Sequence, residues 1–132
     1  MPRPPSIWTF TEAGEAVNPI DYGFCDRTVT IYRKEQGEIQ RLVAENCYYN
    51  YQDVLRDDVP GRRVQRLFLL VMPGKRQRVF PGDLVYDGVG PEVGDIDWGK
   101  FVPAVVPGLS QAAYAAPWHW EGEIQHWEAG QK

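Results

Sequence analysis

The sequence has little of what most chemistry needs. Among 132 residues there are two histidines, His119 and His126, and two cysteines, Cys25 and Cys47. There are also two serines, Ser6 and Ser110; neither sits in a GxSxG elbow and no His–Asp partner is suggested for either. The cysteines form no CxxC pair and no signal peptide precedes them. They read as two reduced, buried thiols, although spacing alone leaves a disulfide between them open. The longest apolar run, Leu67 to Met72, is strand-sized, far below the ~18 residues that a helix needs to span a membrane. Cationic excess is missing too: the formal charge is −4, which argues against a general nucleic-acid binder but not against a local basic patch. No stretch of twelve residues carries a helical apolar stripe, and no internal repeat is visible.

What is present is turn-forming and aromatic. There are five Trp, seven Tyr and five Phe beside 13 Gly and 11 Pro. Such a composition favours short strands joined by turns. The length suits one domain with one core. Residues 1–24 read as an extended N-terminal arm, because Met1-Pro2-Arg3-Pro4-Pro5 suits neither helix nor ladder and the later apolar residues follow no period. Residues 25–132 read as a single β-barrel-like domain.

Along that domain, Asp26–Arg33 predicts a strand with Val29 and Ile31 on one face and Thr28, Thr30 and Tyr32 on the other. Lys34-Glu35-Gln36-Gly37 predicts the turn into a second strand over 38–51. Residues 52–61 break the pattern and predict a loop or hairpin tip. Strands are expected at 62–72, 84–86, 101–106 and 109–116, with a short helical turn around 93–100. A final hairpin over 118–128 turns near Gly122. The fold class is therefore all-β: a small antiparallel β-barrel or sandwich of about six to seven short strands.

The candidate motifs are weak. Asp87-Gly88-Val89-Gly90-Pro91 contains GxG, but Pro91 and the lack of GK[ST] make it a turn, not a phosphate loop. On one straight strand His119 and His126 would face opposite ways. A hairpin could reunite them, with Glu121, Glu123 and Glu128 completing a Zn or Mn site. The carboxylate pairs Asp57-Asp58 and Asp95/Asp97 read as solvated loop charge, where tuning for acid–base work is difficult. Between positions 62 and 78 six basic residues occur and no acidic one: Arg62, Arg63, Arg66, Lys75, Arg76 and Arg78. They either pair with acidic neighbours within the fold or form a basic edge that meets an acidic partner subunit.

Several stretches together resemble a known group. These are Asp26–Tyr32, Asn46-Cys47-Tyr48-Tyr49, Leu69–Gly74, Pro81-Gly82-Asp83, Phe101-Val102-Pro103, Pro117–Gly122 and Glu128-Ala129-Gly130. The chain resembles small virion proteins of tailed bacteriophages that infect Firmicutes, grouped as minor capsid or head–tail connector components. The resemblance covers most of residues 20–130. It implies a small β-barrel of the head-closure or stopper type, assembled with copies of itself as a ring between portal and tail. The implied partners are portal, adaptor and tail proteins of a virion. DNA would only pass by, no membrane would be bound, and the chain would be made in the bacterial host cytoplasm. A connector of this type is expected not to be an enzyme and to need no cofactor or metal. Its long loop would correspond to residues 52–61. The expected interface residues are Ile7, Trp8 and Phe10 in the arm, Asp57 and Asp58 in the loop, and Arg62, Arg63, Arg66, Arg76 and Arg78. Tail completion or capsid decoration are alternatives within a virion. A different class altogether is a small carbohydrate-binding module or metal-dependent enzyme, using Trp118, Trp120 and Trp127 as a sugar platform beside His119 and His126.

Overall fold

The computed structural model describes residues 9–10, 16–17, 21–56 and 63–131. Among the described residues, strands β1 (Thr9–Phe10) and β2 (Ala16–Val17) pair only with each other. The main body is one seven-stranded antiparallel sheet. Its strands are β3 (Arg27–Glu35), β4 (Glu38–Arg56), β5 (Arg63–Pro73), β6 (Leu84–Asp87), β7 (Leu109–Gln111), β8 (Tyr114–Trp120) and β9 (Glu123–Gly130). They lie in the order β7-β6-β3-β4-β5-β9-β8. The all-β expectation is met, as a curled half-barrel.

Two hairpins share one turn chemistry. Gln36-Gly37 has φ of 52° and 81°, and Glu121-Gly122 has 50° and 80°. Left-handed backbone at both central residues matches the twist of the flanking strands, and glycine takes the second position without a Cβ penalty.

The curl has two causes. The first is Asn46, with φ of 57°. Around it the register jumps from Val29↔Ala44 to Arg27↔Cys47. This bulge bends β4, which pairs with β3 as far as Cys47 and with β5 from Tyr48 onward. Asparagine is among the few side chains that accept this conformation readily. The second cause is Ala112-Ala113, which joins one edge strand of the sheet to the other. Ala112 accepts from Gly82 N–H and donates to the Asp83 carbonyl, while Ala113 donates to the Gly130 carbonyl. Two residues can bridge opposite sheet edges only if the sheet wraps around.

Both faces of β3 are covered. Val29 and Ile31 enter a core with Cys47, Leu70, Met72 and Val85. Tyr32 enters a second cluster with Leu84, Phe101 and Leu109. That cluster is roofed by residues 88–108, which Thr30 anchors by donating to the Gly88 carbonyl and accepting from Gly90 N–H. Tyr32 Oη donates to the Pro91 carbonyl. The GxG segment is thus a fixed turn.

Three expectations need correction. Residues 52–56 are strand, paired rung for rung with 63–67, so the expected loop is shorter than 52–61. Phe101–Val106 is not a strand: Val105 and Val106 both donate to the Val102 carbonyl, which folds the segment back between Pro103 and Pro107. The expected strand 109–116 is broken at Ala112-Ala113, where the backbone changes partners. The helical turn is a six-residue 3-10 segment, Asp95–Lys100.

Candidate functional site

The most unusual feature of the sheet is where β4 and β5 run without other neighbours. β3 pairs with β4 only as far as Cys47, and β9 pairs with β5 only from Leu69 onward. From Gln52 to Arg56 on one side, and from Arg63 to Leu67 on the other, each strand pairs, among the described residues, only with its sister. This outer end is a two-stranded ribbon, extending five rungs past the body. At its base Tyr49 and Tyr51 pack side by side, their ring centroids 5.9 Å apart. Tyr49 also meets Phe68, and its hydroxyl is 2.9 Å from Ser110 Oγ, so the buried serine is engaged in structure. Leu69, on the opposite face of the ribbon's root, is exposed.

The expected interface residues distribute unevenly. Ile7, Trp8, Asp57, Asp58 and Arg62 lie outside the described residues, as do the side chains of Phe10, Arg63 and Arg66. Arg63 and Arg66 themselves stand on the ribbon strand β5. Lys75 pairs with Glu123 at 2.8 Å, and this ammonium holds the exposed Glu123 carboxyl below its ordinary range. Arg78 donates to the Pro73 carbonyl. Neither Arg76 nor Arg78 meets a carboxylate among the described residues.

On the β8–β9 hairpin the two histidines part. His126 pairs directly across from Trp118 and is 97% buried, whereas His119 is the next residue along β8 and is exposed. Trp118 and Trp120, two apart, share the His126 face with parallel rings: interplanar angles are 4° to Trp120 and 7° to His126. His119 therefore looks to the other side. No group of three metal-binding side chains occurs among the described residues. The three tryptophans do not make one platform either. Trp127 neighbours His126 along β9, lies on the other face, and donates its indole N–H to the Lys75 carbonyl.

His126 is held at both nitrogens. Its Nδ1 lies 2.6 Å from Tyr22 Oη and its Nε2 lies 2.8 Å from Glu128 Oε2. In the neutral tautomer with Nε2–H, the tyrosine hydroxyl donates to Nδ1 and the imidazole donates to the carboxylate. Tyr22 belongs to a 3-10 turn, Tyr22–Phe24, capped by the Asp21 carboxylate on Gly23 N–H. Phe24 packs edge-on against Tyr48. This turn is thereby fastened to the body at two points. The sequence sets Glu128 beside His126 only as a candidate metal ligand, whereas Tyr22, 104 residues away on another element, is flagged by no pattern.

The cysteines are free and buried. Burial pushes the Cys47 thiol up to about 11, opposed by Arg78 and assisted by Cys25. Burial, with a smaller effect of Asp26, also raises Cys25. Neither is primed as a nucleophile, which requires a depressed pKa.

A comparison of the chain with protein-family models, curated proteins and solved structures finds no match.

Proposed function

We propose that this protein is a structural part of a tailed-phage virion, a head–tail connector or head-completion component that assembles with its own copies as a ring between portal and tail. The observation that carries the reading is the β4–β5 ribbon. A lone two-stranded ribbon is marginally stable in water, so one that projects five rungs from a body is suited to gain its remaining contacts from a neighbour. It occupies the place where the resemblance to connector proteins expects a projecting loop. The wrapped sheet supplies a rigid body from which to aim it. Its action is by shape and contact.

The test is the composition of purified virions of the phage that encodes the chain, with imaging of the neck. Copies at the neck, on the order of a dozen or fewer per particle as a closed ring requires, support the reading. Particles without the chain at the neck overturn it. Hundreds of copies spread over the capsid would indicate decoration instead.

A further inference from the structure

Resting on that ring reading, we infer that one copy inserts the exposed Asp95-Ile96-Asp97 tip of its 3-10 segment into the cleft that Arg76 and Arg78 line on the next copy. Ile96 is 95% exposed, the most exposed of the large apolar side chains described. It is not there for want of anchorage. Val93 and Trp98 on either side pack onto the second core cluster, which holds the segment in place with Ile96 outward. Two carboxylates flank it. Asp95 makes a surface ion pair with Lys34 at 2.7 Å, and Asp97 meets no described cation. An aliphatic group presented between acids is a poor surface for water and a good plug for an apolar hole with a cationic rim.

Such a hole exists. A cleft of about 410 Å³ lies between the β3–β4 hairpin and the segment after β5. Ile31, Leu42 and Phe80 give it apolar walls, and Leu42 and Phe80 are each 38% exposed. Arg76 and Arg78 line it, and neither has a described carboxylate partner. The other two arginines that line it are already engaged, Arg33 by Asp83 and Arg41 by the Gly90 carbonyl, to which it donates.

Tip and cleft lie on opposite sides of the same strand. Tyr32 and Lys34 face the roof, through Phe101 and Asp95. Ile31 and Arg33, one residue out of step, face the cleft. A tip on one side and its receptor on the other cannot pair by a two-fold axis through one patch. They make a head-to-tail contact, which repeats from copy to copy and forms a ring where its rotation closes.

The experiment is sedimentation velocity over a concentration series at low ionic strength. Wild-type protein should self-associate, less so as salt is raised. Three variants at exposed positions, D97K, R76E and I96S, should each weaken association roughly tenfold or more while keeping the wild-type melting curve. A mixture of D97K with R76E should regain association that neither shows alone, because the reversed charges then face each other. Wild-type protein that stays monomeric at its highest soluble concentration overturns the contact. So does association that all three variants leave unchanged. In that second case the ring reading stands and a different surface builds it, a distinction the virion measurement makes independently.

Discussion

Arg33 and Asp83 meet side-on across fifty residues of sequence: Nε lies 2.8 Å from one carboxylate oxygen and Nη2 lies 2.6 Å from the other. The same carboxylate accepts Phe80 N–H at 2.8 Å, and the guanidinium lies 4.3 Å from the centroid of the Phe80 ring. One buried acid thus fixes the end of β3, the turn before β6 and one wall of the cleft. Asp83→Asn keeps the shape but removes the charge. It should destabilise the fold by about 2–3 kcal/mol, the cost of a broken buried pair discounted for the partly exposed arginine. Urea unfolding monitored by tryptophan fluorescence checks this. A loss within about 0.5 kcal/mol would show the pair to be ornamental.

Gly130 is needed for close approach. A Cβ there would stand 2.6 Å from the Phe68 carbonyl and 2.9 Å from the Tyr114 hydroxyl. The first obstacle is backbone and cannot swing away. Gly130→Ala should cost about 2 kcal/mol or more, as overpacking does, and loosen the β5–β9–β8 junction. Hydrogen exchange at Leu69 and Tyr114 amides would report the loosening, while those of β6 stay protected.

The raised Cys47 thiol ties stability to alkaline pH. The unfolded thiol ionises near 9.0 and the folded one near 11. Below pH 9 both states hold the proton and the folded state has its full stability. As pH rises from 9 to 11 only the unfolded state releases it, so stability falls, by at most about 2–3 kcal/mol. Tyr32, also raised by burial, adds a loss at higher pH. Cys47→Ala should flatten the 9-to-11 portion of the denaturation midpoint against pH. An unchanged slope would refute the assignment. At neutral pH both thiols should resist a thiol reagent until the protein unfolds.

Tyr22→Phe deletes the hydroxyl that meets Nδ1 of His126 and leaves the ring in place. A buried imidazole nitrogen without a partner costs about 1–3 kcal/mol. Thermal melts should show that loss, and it should shrink when His126 is replaced as well. Additive losses would mean that the two groups do not interact.

The ribbon should matter for assembly and not for folding. Shortening it by deleting residues from Gln52 to Leu67 and closing the Tyr51–Phe68 rung with Asn-Gly removes only rungs that β3 and β9 do not pair with. The melting temperature should stay close to that of the full chain. Particles made with the shortened chain should fail at the neck. Normal particles would remove the ribbon from the mechanism.

Local preference settled a definite part of this protein. Alternation over 27–35, the β-rich run 67–72, and the Gln36-Gly37 and Glu121-Gly122 turns each act over a few residues, and the backbone follows them wherever the rest of the chain goes. The ribbon was not legible, because residues 52–56 and 63–66 show no sustained apolar alternation; cross-strand pairing extends it. Likewise Phe101–Val106 carries strand-like residues, yet packing Phe101 against Tyr32 bends it into a roof. The tip at Ile96 looked like any wet loop until Val93 and Trp98 were seen to anchor it. Only the tertiary structure decided that β4 bends at Asn46 and changes partners after Cys47, that Ala112-Ala113 joins the two sheet edges, and that His126 sits between Tyr22 and Glu128. Those outcomes depend on register and closure between distant segments. They are fixed by which faces can be buried together, and no short stretch of sequence holds that information.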